Sequence, residues 1–136
     1  MKKKDIYNSD NGMISNIWGP PLWHFLHTIS FNYPINPTNL QRKHYKQYML
    51  SLGNILPCKY CRINYKKNLL AVPLTNYSLK NRNTFSRWVY RLHSNVNDML
   101  GKKTNITYNE VKEKYNKFRA GCNDSTGCIN PLQKKS

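Results

Sequence analysis

The sequence predicts an all-α protein, an up-and-down four-helix bundle with a short fifth helix. Apolar residues recur at helical spacing in five segments, and prolines or capping residues separate these segments. No stretch shows the sustained alternation of a half-buried strand, and no hairpin dipeptide joins two apolar runs. Together these observations leave helix packing as the basis of the core.

Prolines and capping residues set the bounds of the first two predicted helices. The first should begin at Trp18, with Pro20 in its first turn, where the missing N–H costs nothing, and should stop at Pro34. The second should start from a cap at Thr38 and end before Pro57. Each carries apolar residues that can face a common core.

Three further helices are expected. The third should start at Cys58 and end before Pro73. The fourth should follow a cap within residues 81–84, carry a broad apolar stripe and end at Gly101. The fifth should span about residues 107–118, with one face to pack on the others.

Length and composition indicate a single domain. With 136 residues, of which 39% are apolar, the chain can form one modest core. We expect a flexible basic and polar arm over residues 1–16, a folded domain over 17–119 and a flexible tail over 120–136. No apolar run approaches the roughly 18 residues that span a bilayer, so membrane insertion is not expected. The net charge of +16 favours anionic partners and does not bear on the fold.

Cys58 and Cys61 form a C-x-x-C pair at the predicted start of the third helix, where unpaired N–H groups stabilise a thiolate. Taken alone, the pair fits a redox dithiol and a zinc site about equally. Zinc would need two more ligands, which Cys122 and Cys128 supply in number, but their spacing is wide for a zinc knuckle. We therefore expect a redox pair and no metal.

A second set of residues has the pattern of a binding site between helices. Trp23 and His27 lie four residues apart, as do His93 and Asn97, so each pair shares one helical face. An aromatic core stripe with a satisfied histidine would explain the first pair alone. Two polar pairs in a bundle core need partners, and a bound dinucleotide would provide them, with the lysines at 102–103 on its pyrophosphate. The glycines form no G-x-G-x-x-G fingerprint, which excludes a Rossmann site.

Three motifs stand in one order and spacing over roughly residues 18–118. They are Trp18-Gly19-Pro20-Pro21-Leu22-Trp23-His24-Phe25-Leu26-His27, then Pro57-Cys58-Lys59-Tyr60-Cys61, then Trp88 with the run His93-Ser94-Asn95-Val96-Asn97-Asp98-Met99-Leu100-Gly101-Lys102. In these motifs the sequence resembles the Erv/ALR family of FAD-linked sulfhydryl oxidases, most closely the short forms of large DNA viruses.

The resemblance implies a helical bundle that holds FAD beside the C-x-x-C disulfide, commonly as a homodimer. It implies that Trp23 and His27 line the flavin, and that His93 and Asn97 contact the adenine. The remaining cofactor contacts that it implies are Trp18, Gly19, Tyr33, Trp88, Leu100, Lys102, Lys103, Lys114 and Tyr115. Tyr115 stands where the family has tryptophan, and the loop before it differs in length.

The expected reaction starts with a substrate dithiol, a protein or a thioredoxin-like relay, that attacks Cys58 and releases Cys61. Electrons then pass to FAD and to O₂, which gives H₂O₂. In some members of the family a cysteine pair on a flexible tail relays electrons to the C-x-x-C. Cys122 and Cys128 could form such a relay, a structural disulfide, an intersubunit disulfide or none.

The sequence departs from the family at a structural disulfide that many members have. Tyr90 stands near its first position, and no cysteine lies between Cys61 and Cys122. Stability must therefore rest on packing and on bound FAD, because a ligand bound only by the native state stabilises that state.

Two other classes of protein compete with this interpretation. A basic helical nucleic-acid-binding module would explain the +16 charge but not the ordered motifs, so nucleic acid is not expected as a functional ligand. A zinc-stabilised interaction domain is the other. The resemblance suggests the host cytoplasm and the virion as the location. The mitochondrial intermembrane space is less favoured, because residues 1–16 do not resemble an amphipathic targeting helix.

Overall fold

The structure is a computed structural model that describes residues 5–123 and 127–129, with side chains over residues 5–121. The described residues form five helices, which are α1 Ser15–Ser30, α2 Asn39–Ile55, α3 Lys59–Ala71, α4 Arg82–Met99 and α5 Tyr108–Asn116. Two short strands follow, β1 Gly121–Asn123 and β2 Gly127–Ile129. The predicted all-α class is confirmed, with this two-stranded ribbon as an addition. Among the described residues, no helix combines the length and the apolar content that crossing a membrane requires.

The chain divides into two compact units. The first ends at Thr104 and contains α1 to α4, and the second begins at Asn105 and contains α5 and the ribbon. In the first unit α1 packs on α4, and α3 packs on both α2 and α4.

Capping boxes start three of the helices. Each box satisfies two N–H groups that the helix itself leaves unpaired. The boxes pair Thr38 with Gln41 before α2, Asn81 with Thr84 before α4, and Thr107 with Glu110 before α5. The caps expected at Thr38 and in the segment 81–84 are therefore confirmed, and α5 begins one residue after 107.

The start of α1 differs from the prediction. The helix begins at Ser15, so Pro20 and Pro21 lie in its second turn and not in the first. Two carbonyls of the first turn consequently lack an intrahelical N–H donor. The indole N–H of Trp18 donates to the Met13 carbonyl at 3.0 Å and ties this turn to the preceding segment. The helix start was predicted too late in the chain because the polar residues before Trp18 have no apolar period.

The core of the first unit is built around α4. Its fully buried members include Phe85 and Trp88, and the ring of Tyr33 lies 4.6 Å from that of Phe85. The polar atoms of these aromatic residues are satisfied by backbone. The Tyr33 hydroxyl donates to the Leu79 carbonyl at 2.7 Å, and the Trp88 indole donates to the Val72 carbonyl at 3.1 Å. Because each buried polar atom has a hydrogen-bond partner, these rings add to the core without leaving an unsatisfied polar group.

The second unit contains a ribbon that the sequence did not predict. β1 and β2 pair antiparallel, with Cys122 opposite Cys128 in the backbone register. Strands of three residues are too short for an alternation pattern, so the segment 120–136 was expected as a flexible tail. The side chains of these two cysteines lie outside the described residues, and their predicted roles stay predictions.

Candidate redox site

Cys58 and Cys61 lie at the N-terminus of α3 as free, partly buried thiols. Cys58 is the N-cap residue and not the first helical residue, and its Sγ accepts the backbone N–H of Cys61 at 3.2 Å. The unpaired N–H groups of a helix start and the helix dipole both favour negative charge at this position. The first sulfur of the pair therefore lies at the N-terminus of α3, in contact with a backbone N–H.

The second sulfur is in a different environment. Burial raises the pKa of the Cys61 thiol to about 12, and the hydrogen bond with Cys58 and the charge of Cys58 act in the same direction. The positive charge of Arg62 acts the opposite way. In the reduced pair Cys61 therefore keeps its proton at neutral pH.

Residues 7–13, here called the N-terminal strap, pack against the turn that carries the first cysteine. The Met13 N–H donates to the Pro57 carbonyl at 2.8 Å. A Cβ added to Gly12 would lie 2.9 Å from the Pro57 carbonyl oxygen and 3.1 Å from the Cys58 Cα. Real side chains essentially never come so close, so the strap needs glycine at this position to approach the cysteine backbone.

Arg62 fixes the strap in place. This side chain is only 7% exposed, and its guanidinium donates to the carbonyls of Leu56 and Tyr7 at 2.6 Å each. It also donates to the Asn8 Oδ1 at 3.1 Å and lies 3.9 Å from the centre of the Tyr7 ring. These contacts satisfy a buried cation and join α3 to a segment 55 residues earlier in the chain.

The strap and Arg62 are functional candidates that the sequence did not reveal. Arg62 directly follows Cys61, but no spacing pattern links it to residues 7–8. The arm predicted for residues 1–16 makes tertiary contacts from Tyr7 onward, and its last two residues belong to α1. The flexibility of the arm in solution stays a prediction.

An indole and two imidazoles, Trp23, His27 and His93, form a cluster between α1 and α4. The rings of Trp23 and His93 are stacked, with centroids 4.1 Å apart and planes inclined by 7°. The Nε2 of His27 lies 2.8 Å from the Nδ1 of His93. The structure thus brings together three of the four residues in the two polar pairs. The fourth, Asn97, lies partly buried one turn further along α4.

His93 is a neutral imidazole at physiological pH. Burial lowers the pKa of His93 to about 4, and the positive charge of Lys102 acts in the same direction. Gly101, at φ 72°, turns the chain at the end of α4 in the left-handed conformation that favours glycine. The Lys102 N–H then donates to the Asn97 carbonyl at 2.8 Å, which fixes the backbone of the lysine near α4.

The residues around this cluster fit the FAD that the resemblance implies. Trp18, Trp23 and Cys61 are partly buried and pack against the same core. A Cβ added to Gly19 would meet no atom within 4 Å, so the chain itself leaves the side of α1 at this glycine open. Aromatic faces, a neutral imidazole and the Lys102 amine suit stacked rings and a pyrophosphate.

Two residues expected to contact the cofactor lie in the core of the first unit. Tyr33 and Trp88 are fully buried, and both use their polar atoms on backbone carbonyls. In this structure both residues pack in the core, and their predicted contacts with the cofactor stay predictions. Sequence motifs do not reveal such burial, because it depends on the tertiary packing.

The remaining predicted contacts are placed as follows. Leu100 caps α4 and is 56% exposed, and Lys103 is an exposed residue of the next loop. Lys114 and Tyr115 lie on α5, in the second unit, with the Lys114 Nζ 5.6 Å from the centre of the Tyr115 ring. These four stay predicted contacts.

The described side chains also bear on the zinc alternative. Among them, no three His, Cys, Asp or Glu residues gather in a way that would hold a metal ion. Cys122 and Cys128, which a four-cysteine site would require, are not part of that set.

Comparisons with known proteins agree with this fold. The model of the Erv1/Alr family matches residues 20–116. A probable FAD-linked sulfhydryl oxidase of Acanthamoeba polyphaga mimivirus is 40% identical over 96 residues, which is 71% of this chain and 66% of that protein. The FAD-linked sulfhydryl oxidase of African swine fever virus (isolate Pig/Kenya/KEN-50/1950) is 34% identical over 72% of this chain and 79% of its own length.

A solved structure shows the same fold. The FAD binding domain of Erv1 from Saccharomyces cerevisiae superposes with a TM-score of 0.67 at 25% identity, and the match covers 76% of this chain and 94% of that domain. The chain spans 66% of the mimivirus relative and 42% of the FAD-linked sulfhydryl oxidase ERV1 of Arabidopsis thaliana. The helical bundle, the C-x-x-C at the start of α3 and the family match over residues 20–116 lead to one conclusion: the chain belongs to the Erv1/Alr family.

Proposed function

We propose that this protein is an FAD-dependent thiol oxidase that forms disulfides in protein dithiols and delivers the electrons to O₂, with H₂O₂ as the second product. The observation that carries the proposal is the asymmetry of the C-x-x-C pair. Cys58 occupies the N-cap of α3, whereas Cys61 is a partly buried thiol with a raised pKa that packs against the same core as Trp23. The names of the viral and plant relatives support the same activity.

The proposed reaction begins with the pair as a disulfide. A substrate thiolate attacks the Cys58 Sγ, the Cys58–Cys61 bond breaks, and a mixed disulfide forms at Cys58. The second thiol of the substrate then attacks the substrate sulfur of that mixed disulfide, and Cys58 leaves as a thiolate. The substrate leaves as a disulfide, and the pair retains two electrons as a dithiol.

The environment of Cys61 supports this order. In the mixed disulfide Cys58 carries no charge, so one of the causes that raise the pKa of Cys61 is absent. The positive charge of Arg62 lowers that pKa and stabilises Cys61 as it is released. When bound, FAD supplies the electron acceptor that returns the pair to the disulfide and reduces O₂.

We assign cofactor binding to the exposed surface around the indole–imidazole cluster. Trp23 offers an aromatic face, and His27, which is buried, holds His93 at 2.8 Å. Asn97, with Leu100 at the end of α4, adjoins His93, and the amine of Lys102 suits the pyrophosphate. Trp18 and Gly19 extend this surface along α1. Lys103, Lys114 and Tyr115 are further proposed contacts.

We also propose that the active form is a homodimer. On α1, Ile17 is 74% exposed and Phe25 is 51% exposed, and the exposed Pro21 lies between them at helical spacing. This apolar stripe suits contact with a second copy of α1. The partners proposed for the redox pair are protein dithiols or a thioredoxin-like relay. The viral relatives support a role in the host cytoplasm or the virion.

Purified protein provides the test of the function. We expect yellow protein with FAD bound in an equimolar amount, and consumption of O₂ when dithiothreitol is added. Colourless protein that cannot be reconstituted with FAD would overturn the proposal. Binding to duplex DNA that falls steeply with salt, without flavin absorbance, would favour a nucleic-acid-binding module instead.

A further inference from the structure

An open cleft lies at the other end of α2 from the redox pair. Its volume is about 660 Å³, and its lining includes Arg42, Lys43 and Lys46 of α2 together with Tyr77 and Lys80 of the segment before α4. α2 has 17 residues, a length of about 25 Å, and Cys58 follows its far end. The cleft is therefore separate from the dithiol, and none of the three residues of the indole–imidazole cluster lines it.

The charge in this cleft has one sign. Four cationic side chains, those of Arg42, Lys43, Lys46 and Lys80, line it, and no aspartate or glutamate does. Within the part of the chain that the structure describes, none of the four has a carboxylate within ion-pairing distance. The first turn of α2, where Arg42 follows Asn39, contains no acidic residue, so the positive end of the helix dipole adds to this charge.

Arg42 adds an observation independent of charge. Its Nε is buried, and it has no hydrogen-bond partner among the described residues. Its Nη1 donates to the Asn39 Oδ1 at 3.2 Å, which fixes the guanidinium beside the start of the helix. A shielded N–H without an acceptor is unfavourable, and a turn of the guanidinium that brings Nε to an anionic oxygen in the cleft would satisfy it.

We propose that this cleft binds a nucleoside polyphosphate, with the phosphates on the four cations and the base on the Tyr77 ring. Tyr77 is 67% exposed although it lines the cleft, and a tyrosine ring is a stacking surface for any base. A volume of about 660 Å³ is in the range of small-molecule sites, which favours a free nucleotide over a nucleic-acid strand.

Calorimetric titration of the FAD-loaded, full-length protein tests this proposal. The probes are adenosine triphosphate, inorganic triphosphate and a single-stranded DNA oligonucleotide, at an ionic strength of about 0.15 M. The double variant Arg42→Gln/Lys80→Gln should bind both triphosphates about tenfold more weakly or worse, since it loses two charge-assisted contacts. Lys80→Gln alone, at an exposed position, keeps the test valid if the double variant does not fold.

A Tyr77 variant distinguishes the contribution of the base to binding from that of the phosphates. Tyr77→Ala should weaken the binding of adenosine triphosphate about fivefold, because it removes the stacking surface for the base, and should leave the affinity for inorganic triphosphate unchanged. Oxidation of dithiothreitol should be the same in all of these variants, because none of the changed residues touches the dithiol or the cofactor surface.

The matched control is Lys67→Gln/Arg91→Gln, which removes the same two kinds of charge from exposed positions on α3 and α4. An equal loss of affinity in this control would show that the net charge alone attracts phosphate, and would overturn the proposal. No measurable binding of either triphosphate would do the same. An oligonucleotide that binds more tightly than adenosine triphosphate and depends on Arg42 would replace the proposal with a nucleic-acid site.

Discussion

The Nδ1 of His93 lies 2.8 Å from the Nε2 of His27, and this contact joins α4 to α1 beside the stacked ring of Trp23. One imidazole must donate and the other accept, which requires that at least one of them is neutral. Burial and the charge of Lys102 keep His93 in that state. The cluster is therefore intact at neutral pH and weakened by acid.

The stability of flavin-free protein should consequently depend on pH through His93. The pKa of His93 falls from 6.5 in the unfolded chain to about 4 in the folded one, so the unfolded state binds more protons between these values. The free energy of unfolding therefore rises as pH increases through this range. The contribution of His93 to stability is lost as pH falls through the same range. We expect His93 to contribute about 1–2 kcal/mol to the difference, after allowance for its partial exposure.

Denaturant unfolding at about pH 7 and about pH 4.5 measures this effect. His93→Gln should have a smaller difference between the two pH values than the wild type. An equal difference in both proteins would show that His93 is not the group that titrates.

Gly19→Ala should separate cofactor binding from folding. A Cβ at this position meets no atom within 4 Å, and alanine in a helix interior is about 0.5–1 kcal/mol more favourable than glycine. The flavin-free variant should therefore melt at the wild-type temperature or slightly above it, whereas its affinity for FAD should fall. Unchanged FAD affinity would place the cofactor away from this side of α1.

Arg62→Ala should destabilise the protein by about 2–4 kcal/mol, because it leaves the carbonyls of Leu56 and Tyr7 without their donor. Arg62→Lys should recover only part of this loss, since one ammonium cannot reach the three acceptors as the planar guanidinium does. Urea unfolding provides the measurement.

Arg91→Ala, at an exposed position on α4, is the control and should stay within about 0.5 kcal/mol of the wild type. In Arg62→Ala the reduced Cys58 should also react faster with iodoacetamide, because the strap no longer covers its backbone. A stability of Arg62→Ala equal to that of the control would contradict the role given to the strap.

The tail cysteines allow a test of the proposed relay. The double variant Cys122→Ser/Cys128→Ser should oxidise a reduced protein substrate more slowly than the wild type. Its rate with dithiothreitol should not change, because a small dithiol reaches Cys58 directly. Equal rates on the protein substrate would exclude the relay and leave a structural disulfide, an intersubunit disulfide or free thiols.

Local sequence signals predicted much of this fold. Thr38 and the segment 81–84 were identified as caps, because a capping box consists of residues three apart in the chain. The position of the C-x-x-C at the start of α3 was likewise predicted from a local signal, the proline directly before Cys58. Only the exact position was wrong, since Cys58 is the N-cap and the helix begins at Lys59.

Features that depend on distant parts of the chain were not predicted. Arg62 contacts residues 7 and 8 across more than fifty positions, and no periodicity records such a pairing. Tyr33 and Trp88 have the residue types of a cofactor site, but tertiary packing buries both completely. The stacking of Trp23 on His93 likewise depends on the packing of α1 against α4. The sequence predicted only that each polar pair shares one face of its helix, and not that the two faces meet.

The most direct test of the central claim is the activity and colour of Cys61→Ser. The variant should be purified with FAD bound, and its O₂ consumption with dithiothreitol should be followed beside that of the wild type. We predict yellow protein that does not turn over, because Cys58 alone cannot form the disulfide that the substrate attacks. A Cys61→Ser protein that oxidises dithiothreitol at the wild-type rate would contradict the account.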